Sequence, residues 1–305
     1  SLGGVALSLL LAEHALSRTQ WGASVLGISS RSPEQGGSPP VGTIFDTFDA
    51  LETTRKFSSY PDRDYPVRPP ARTAATRVVA LGSSSTAGAY QNDDLEQFWP
   101  AELERMLGPA VQVVNQGVGG WTSLHVRRYV ETQVDLVDPD VVVVYLGHND
   151  ILTPSSRTYA DLLEAWRRGD DPSLAASSRL GTIRVYQALR FGIQALVAPP
   201  SGVAVPVDDA RDNYEAMARV LRDRGGRMLL VREAVSPDPS PLLAYGEMMA
   251  SLADDAAVAY LDAAPVLVNP EVHDAFLDPC HLTPHGHALL ARAVEGALRA
   301  EGWLP

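Results

Sequence analysis

Five short apolar runs, separated by stretches with helical periodicity, constrain this chain more than any other feature. They are residues 77–81 (RVVAL), 111–115 (VQVVN), 140–146 (DVVVVYL), 227–231 (RMLLV) and 257–261 (AVAYL). Each is rich in β-branched or aliphatic residues and mostly lacks the alternation of a strand with one wet face. Runs of this kind are strands covered on both sides. Helical patterns fall between them: 95–107 after the first run, 123–137 after the second, 208–224 before the fourth and about 241–253 before the fifth. A last helix is marked by Thr283 as its cap, Pro284 in its first turn, and Leu290, Val294 and Leu298 repeating along one face. Strands alternating with helices imply an α/β fold with a five-stranded parallel sheet between helical layers.

The rest of the chain is arranged around that domain. Its 305 residues, 45% hydrophobic and 20% charged, suffice for one substantial core and an extension. Residues 2–16 are apolar until Glu13 and His14. The run is shorter than the ~20 residues that span a bilayer and lacks a basic leader. It reads either as the distal part of a membrane anchor or as an amphipathic helix packed on the domain. Residues 28–42, rich in Ser, Pro and Gly, read as a linker, and 43–75, with scattered aromatics and prolines, as an extended segment. Residues 151–207 exceed what a crossover needs. Two helical stretches, 159–168 and 183–197, make a helical insertion near the site the expectation there. The division expected is therefore 1–75 as N-terminal extension and 76–305 as the main domain.

Charge excludes one class of function. The net charge is -12, Lys56 is the only lysine, and no basic cluster carries interleaved aromatics, so nucleic acid is not an expected partner. The single cysteine, Cys280, excludes an intrachain disulfide and a multi-cysteine zinc site.

Four separated segments carry the chemistry. Gly82-Ser83-Ser84-Ser85-Thr86 follows the first strand, where open parallel sheets bind ligands. Taken alone it would be a Ser-rich capping turn; it has neither a phosphate-loop ending nor a Gly-x-Ser-x-Gly elbow. Asn115-Gln116-Gly117-Val118-Gly119-Gly120 follows the second strand, and its glycines permit close backbone approach and exposed N–H groups. The plain alternative is a loop before a helix capped by Ser123. Gly147-His148-Asn149-Asp150 ends the third strand, where an Asn amide can donate to a developing oxyanion or cap a turn. Asp278-Pro279-Cys280-His281 precedes the last helix, and its i, i+3 spacing lets the Asp278 carboxylate reach the Nδ1 side of His281. Cys280 within it reads as a thiol nucleophile or, more simply, a small apolar filler. His273, His285 and His287 raise metal binding as a rival, against which Pro284 breaks the helical face and no HExxH is present. His14 and His125 read as surface or packing residues.

These segments together resemble the SGNH hydrolases, the GDSL-type esterase/lipase superfamily, over most of residues 76–305. The resemblance implies a flavodoxin-like three-layer α/β/α sandwich and a serine esterase needing no metal or cofactor. By motif, Ser84 matches the nucleophile, His281 the base and Asp278 its partner. The backbone N–H of Ser84, the N–H of Gly120 and the side chain of Asn149 match the oxyanion donors. One departure is plain: Ser83 stands where the family's Gly-Asp-Ser has Asp, so the hydrogen bonding beneath the loop must differ. The implied substrates are small-molecule, lipid or glycan esters, with a carbohydrate O-deacetylase as the alternative of the same mechanism and a silent binding protein as the alternative of another class. Membrane anchors in related bacterial members, with the apolar start, make N-terminal membrane association and an extracytoplasmic location the expectation.

Overall fold

The structure, a computed structural model, describes residues 71–87, 98–118, 120–152, 202–237, 240–269, 271–272 and 274–305. Apart from their edges, the expected N-terminal extension and the insertion at 151–207 lie outside the described residues. So do His14, His273 and Gly119.

Five strands form one parallel sheet: β1 (Thr76–Gly82), β2 (Val111–Asn115), β3 (Val141–Leu146), β4 (Arg227–Arg232) and β5 (Val258–Asp262), in the spatial order β2-β1-β3-β4-β5. Every boundary lies within one residue of the expected run. The two faces are equally dry. Val78, Ala80, Val143, Tyr145, Leu229 and Val231 face one helical layer, and the alternate residues Val79, Leu81, Val142, Val144 and Leu230 are just as buried. Burial on both sides removes the need for polar alternation, and so the runs read as continuous apolar segments.

Two helical layers supply that cover. On one side α2 (Trp99–Leu107) packs against β2 and against the C-terminal helix α8 (Pro284–Ala300). On the other α3 (Ser123–Val137) packs against α5 (Val207–Arg222), which in turn meets α6 (Ser240–Ser251). Single turns α1 (Ser84–Ala87), α4 (His148–Ile151) and α7 (Ala264–Leu267) follow β1, β3 and β5. Leu290, Val294 and Leu298 of α8 are fully buried in the core, each stabilising the fold by about 1.5–3 kcal/mol. No helix among the described residues is long and apolar enough to cross a membrane.

The helix ends follow local chemistry. Thr283 caps α8 as expected, its hydroxyl accepting the Gly286 N–H at 3.1 Å, with Pro284 in the first turn. The cap of α3 is Thr122, however, and Ser123 is already helical. Thr122 is extended, and its N–H donates to Nδ1 of His125 at 3.1 Å, while the Ser123 N–H is taken by the Asp150 carboxylate at 2.8 Å. Thr122 and His125 thus close a capping box one residue before the expected cap, and Asp150 at the β3 rim satisfies the next N–H. Asp138 ends the same helix in the left-handed conformation, φ 49°, before Pro139.

Candidate active site

All the loops of interest leave the carboxyl ends of the strands. After β1, Ser83 opens a one-turn helix: its carbonyl accepts the N–H groups of Thr86 (3.0 Å) and Ala87 (2.9 Å). Ser84 stands at the head of that turn. The loop after β2 lies hard against it. A Cβ on Gly117 would come within 2.4 Å of the Ala87 nitrogen, so no larger residue fits there. Gly120 has φ 82°, a conformation that disfavours any side chain.

The fourth segment meets the first across the chain. The Ser84 hydroxyl lies 2.9 Å from Nε2 of His281, a residue 197 positions away. Nδ1 of the same ring lies 2.6 Å from Oδ2 of Asp278. The other carboxylate oxygen of Asp278 accepts the N–H groups of Cys280 (3.0 Å) and His281 (2.8 Å). A carboxylate only accepts, so Nδ1 carries the proton and Nε2 is left to accept from Ser84. Burial raises the Asp278 carboxyl, but the Cys280 and His281 N–H groups and the His281 ring outweigh it and hold it below its ordinary value.

Two further bonds fix the loop carrying His281. The Ser85 hydroxyl donates to the Cys280 carbonyl at 2.8 Å, and the Ser236 N–H to the Pro279 carbonyl at 2.8 Å. Of the three adjacent serines, therefore, only Ser84 addresses the imidazole; Ser85 holds the neighbouring backbone and Ser83 turns elsewhere.

On the β3 rim, the Asn149 amide donates to the Trp121 carbonyl at 3.0 Å, which brings it beside Gly120. One amide hydrogen is used there, leaving a second to donate. Asp150 is buried, with its carboxyl pushed up to about 7 by burial against the pull of Ser123.

The family model for GDSL-like Lipase/Acylhydrolase matches residues 80–289. The chain belongs to that family. It is therefore a hydrolase acting on esters, and the five-stranded parallel sheet with its flanking helices is the family's fold. Among solved structures it is similar to a lipolytic protein of the G-D-S-L family from Desulfitobacterium hafniense DCB-2, at 18% identity and TM-score 0.50, covering 73% of this chain and 99% of that one. It is similar to TesA at 18% identity and TM-score 0.50, covering 74% and 99%. A catalytic mutant of Axe2, an acetylxylan esterase from Geobacillus stearothermophilus, matches at 17% identity and TM-score 0.50, covering 77% and 98%. Comparison with curated protein sequences gave no match.

In this GDSL-like hydrolase Ser83 departs from the G-D-S-L pattern, and the structure shows what stands opposite it. Glu233, the residue after β4, is fully buried. Its carboxyl accepts the Ser83 hydroxyl at 3.3 Å and the His148 N–H at 2.9 Å. Burial pushes it up to about 7, aided by Asp150 and opposed by those donors and Ser85. Sequence reasoning missed Glu233. Its only signal is a charged residue directly after an apolar strand run, inside LLVREAV.

The other candidates separate cleanly. His125 and His287 are packing residues, both buried and both depressed to about 3 by desolvation. His287 sits edge-on to Phe98 at 5.3 Å. The Cys280 thiol, half-buried, is pushed far up by burial and by the carboxyls of Glu233 and Asp278. It is the wrong protonation state for a thiolate nucleophile. Asp278, Cys280 and His281 present ligand atoms within 4.8 Å of one another, the one such group among the described residues. A cation there would have to displace the Asp278–His281 hydrogen bond.

Proposed function

We propose that this ester hydrolase is a serine esterase in which Ser84 is the nucleophile, His281 the general base and Asp278 its orienting partner. The observation that carries the reading is the unbroken hydrogen-bond chain from Ser84 through both ring nitrogens of His281 to Asp278. As the Ser84 oxygen attacks the ester carbonyl, its proton passes to Nε2 of His281. Asp278 holds the ring in the tautomer that can accept it and stabilises the imidazolium. The developing oxyanion takes hydrogen bonds from the N–H of Ser84, the N–H of Gly120 and the free hydrogen of the Asn149 amide. One such donor is worth about 3–4 kcal/mol of barrier. The imidazolium then protonates the leaving alkoxide, the alcohol departs, and water activated by His281 hydrolyses the acyl-Ser84 ester.

A fluorophosphonate probe followed by peptide mapping tests both competence and register. Label on Ser84, lost in Ser84→Ala but retained in Ser85→Ala, is the expected result; label on Ser83 or Ser85 in the wild type overturns it. Since one structural neighbour is an acetylxylan esterase, the acyl group is the first specificity to measure. A strong preference for acetyl over long-chain p-nitrophenyl esters would favour O-deacetylation of a carbohydrate, and the reverse a lipid ester.

A further inference from the structure

The turn that presents Ser84 and the turn that presents Asn149 leave different strands, and nothing in either sequence segment ties them together. Glu233 does. One carboxyl oxygen takes the hydroxyl of Ser83, immediately before Ser84, and the other takes the N–H of His148, immediately before Asn149. Its own backbone is fixed by continuing the sheet: the Glu233 N–H donates to the Leu146 carbonyl at 3.0 Å, and the next N–H, of Ala234, to the Tyr145 hydroxyl at 3.3 Å. Leu242 and the Glu233 side chain also close on Gly147, where an added Cβ would meet a Leu242 methyl at 2.6 Å. The carboxyl is thus held in one place, out of water, with a bond to each turn.

We propose that Glu233 is a positioning residue for hydrolysis, supplying from the β4 rim the carboxyl that the G-D-S-L pattern carries beside its serine and that Ser83 lacks here. This rests on the assignment of Ser84 and Asn149 above. A carboxyl bridging the two turns sets the distance between the attacking oxygen and the amide that receives the oxyanion. That distance matters to the transition state and not to ground-state binding, so its loss falls on kcat rather than KM. A burial role alone would need no polar group at this position, and a carboxyl left without both donors would be costly.

Steady-state kinetics on a p-nitrophenyl ester, with thermal melts to confirm folding, test this in four variants. Glu233→Ala should lower kcat about 100-fold with KM within about 3-fold. Glu233→Gln, whose amide can accept from His148 and donate to Ser83, should stay within about 5-fold of wild type. Ser83→Asp combined with Glu233→Ala restores a carboxyl from the other side and should recover about 10-fold over Glu233→Ala. Should Glu233→Ala fail to fold, recovery of a folded, active double variant counts for the proposal and its failure against it. A kcat in Glu233→Ala within about 3-fold of wild type, or a double variant no better than the single, overturns it. Ser84→Ala separates the two levels: if it abolishes turnover while Glu233→Ala does not, only the present inference falls. If it retains turnover, the reading beneath falls instead.

Discussion

The site is built from two halves of opposite physical character. The half at the ends of β1, β3 and β4 is dry: Ser83, Glu233 and Asp150 are buried, and the carboxyls of Glu233 and Asp150 are raised to about 7 by desolvation. The half before α8 is wet: the Asp278 side chain is 46% exposed and its carboxyl is lowered by hydrogen bonds from its own loop. The dry half is held in place by packing and by hydrogen bonds between strand ends. The wet half holds the imidazole of His281, oriented by the carboxylate three residues before it. Precision comes from burial in one, and from i, i+2 and i, i+3 hydrogen bonding in the other.

The sharpest way to break the contrast is to remove the wet half's ring. His281→Ala should reduce kcat by roughly 10⁴-fold or more with little effect on the melting temperature. A residual rate within about 10-fold of wild type would show another base at work. Asp278→Asn should follow at roughly 10³-fold, because an amide can donate to Nδ1 and invert the tautomer. On the dry side, Asn149→Ala should cost about 100-fold in kcat through one lost oxyanion donor. If it raises KM alone, Asn149 binds substrate and does not serve the transition state.

The two halves should also differ in the sign of their pH linkage. An unfolded chain releases the Glu233 proton near its ordinary 4.5, whereas the folded protein holds it up to about 7. The native state binds more protons in that window, so stability falls as pH rises through it. Asp150 acts in the same direction from 3.8 to about 7. Asp278 is the reverse: its contribution is present above its ordinary 3.8 and lost as acid drives pH through its lower folded value. Urea midpoints at about pH 5 and about pH 8 should therefore show a loss that Glu233→Gln reduces, by a difference on the order of 3 kcal/mol. An unchanged pH slope in that variant would mean that Glu233 ionises normally. The smallest effect expected is at the cap of the wet half: Thr283→Ala should cost about 1 kcal/mol in the urea midpoint, with kcat nearly intact.

The sheet was legible because its strands are buried on both faces, which leaves long β-branched runs such as VVVVYL with no competing reading. Helix α8 was legible because its cap, proline and apolar stripe are all local. The candidate site could be picked out because each part sits at a strand end or a helix start, and the motif spacing matched Ser84 among three serines. The cap of α3 was misplaced by one residue because Thr122, not Ser123, closes a capping box with His125, a His at the position where Glu or Gln is the usual signal. Glu233 stayed invisible for a different reason: its partner Ser83 lies 150 positions away.

Taken alone, the sequence determined the layered parallel sheet, the ester-hydrolase family and the candidates Ser84, His281 and Asp278, since periodicity, capping and motif spacing are short-range properties of the chain. Tertiary structure decided that the Ser84 hydroxyl lies against His281 while Ser83 and Ser85 turn to other partners, that burial holds Cys280 as a thiol, and that a buried glutamate after β4 faces Ser83. Those outcomes depend on which groups share a dry corner once the strands are side by side, and a buried charge is placed by its partners in space.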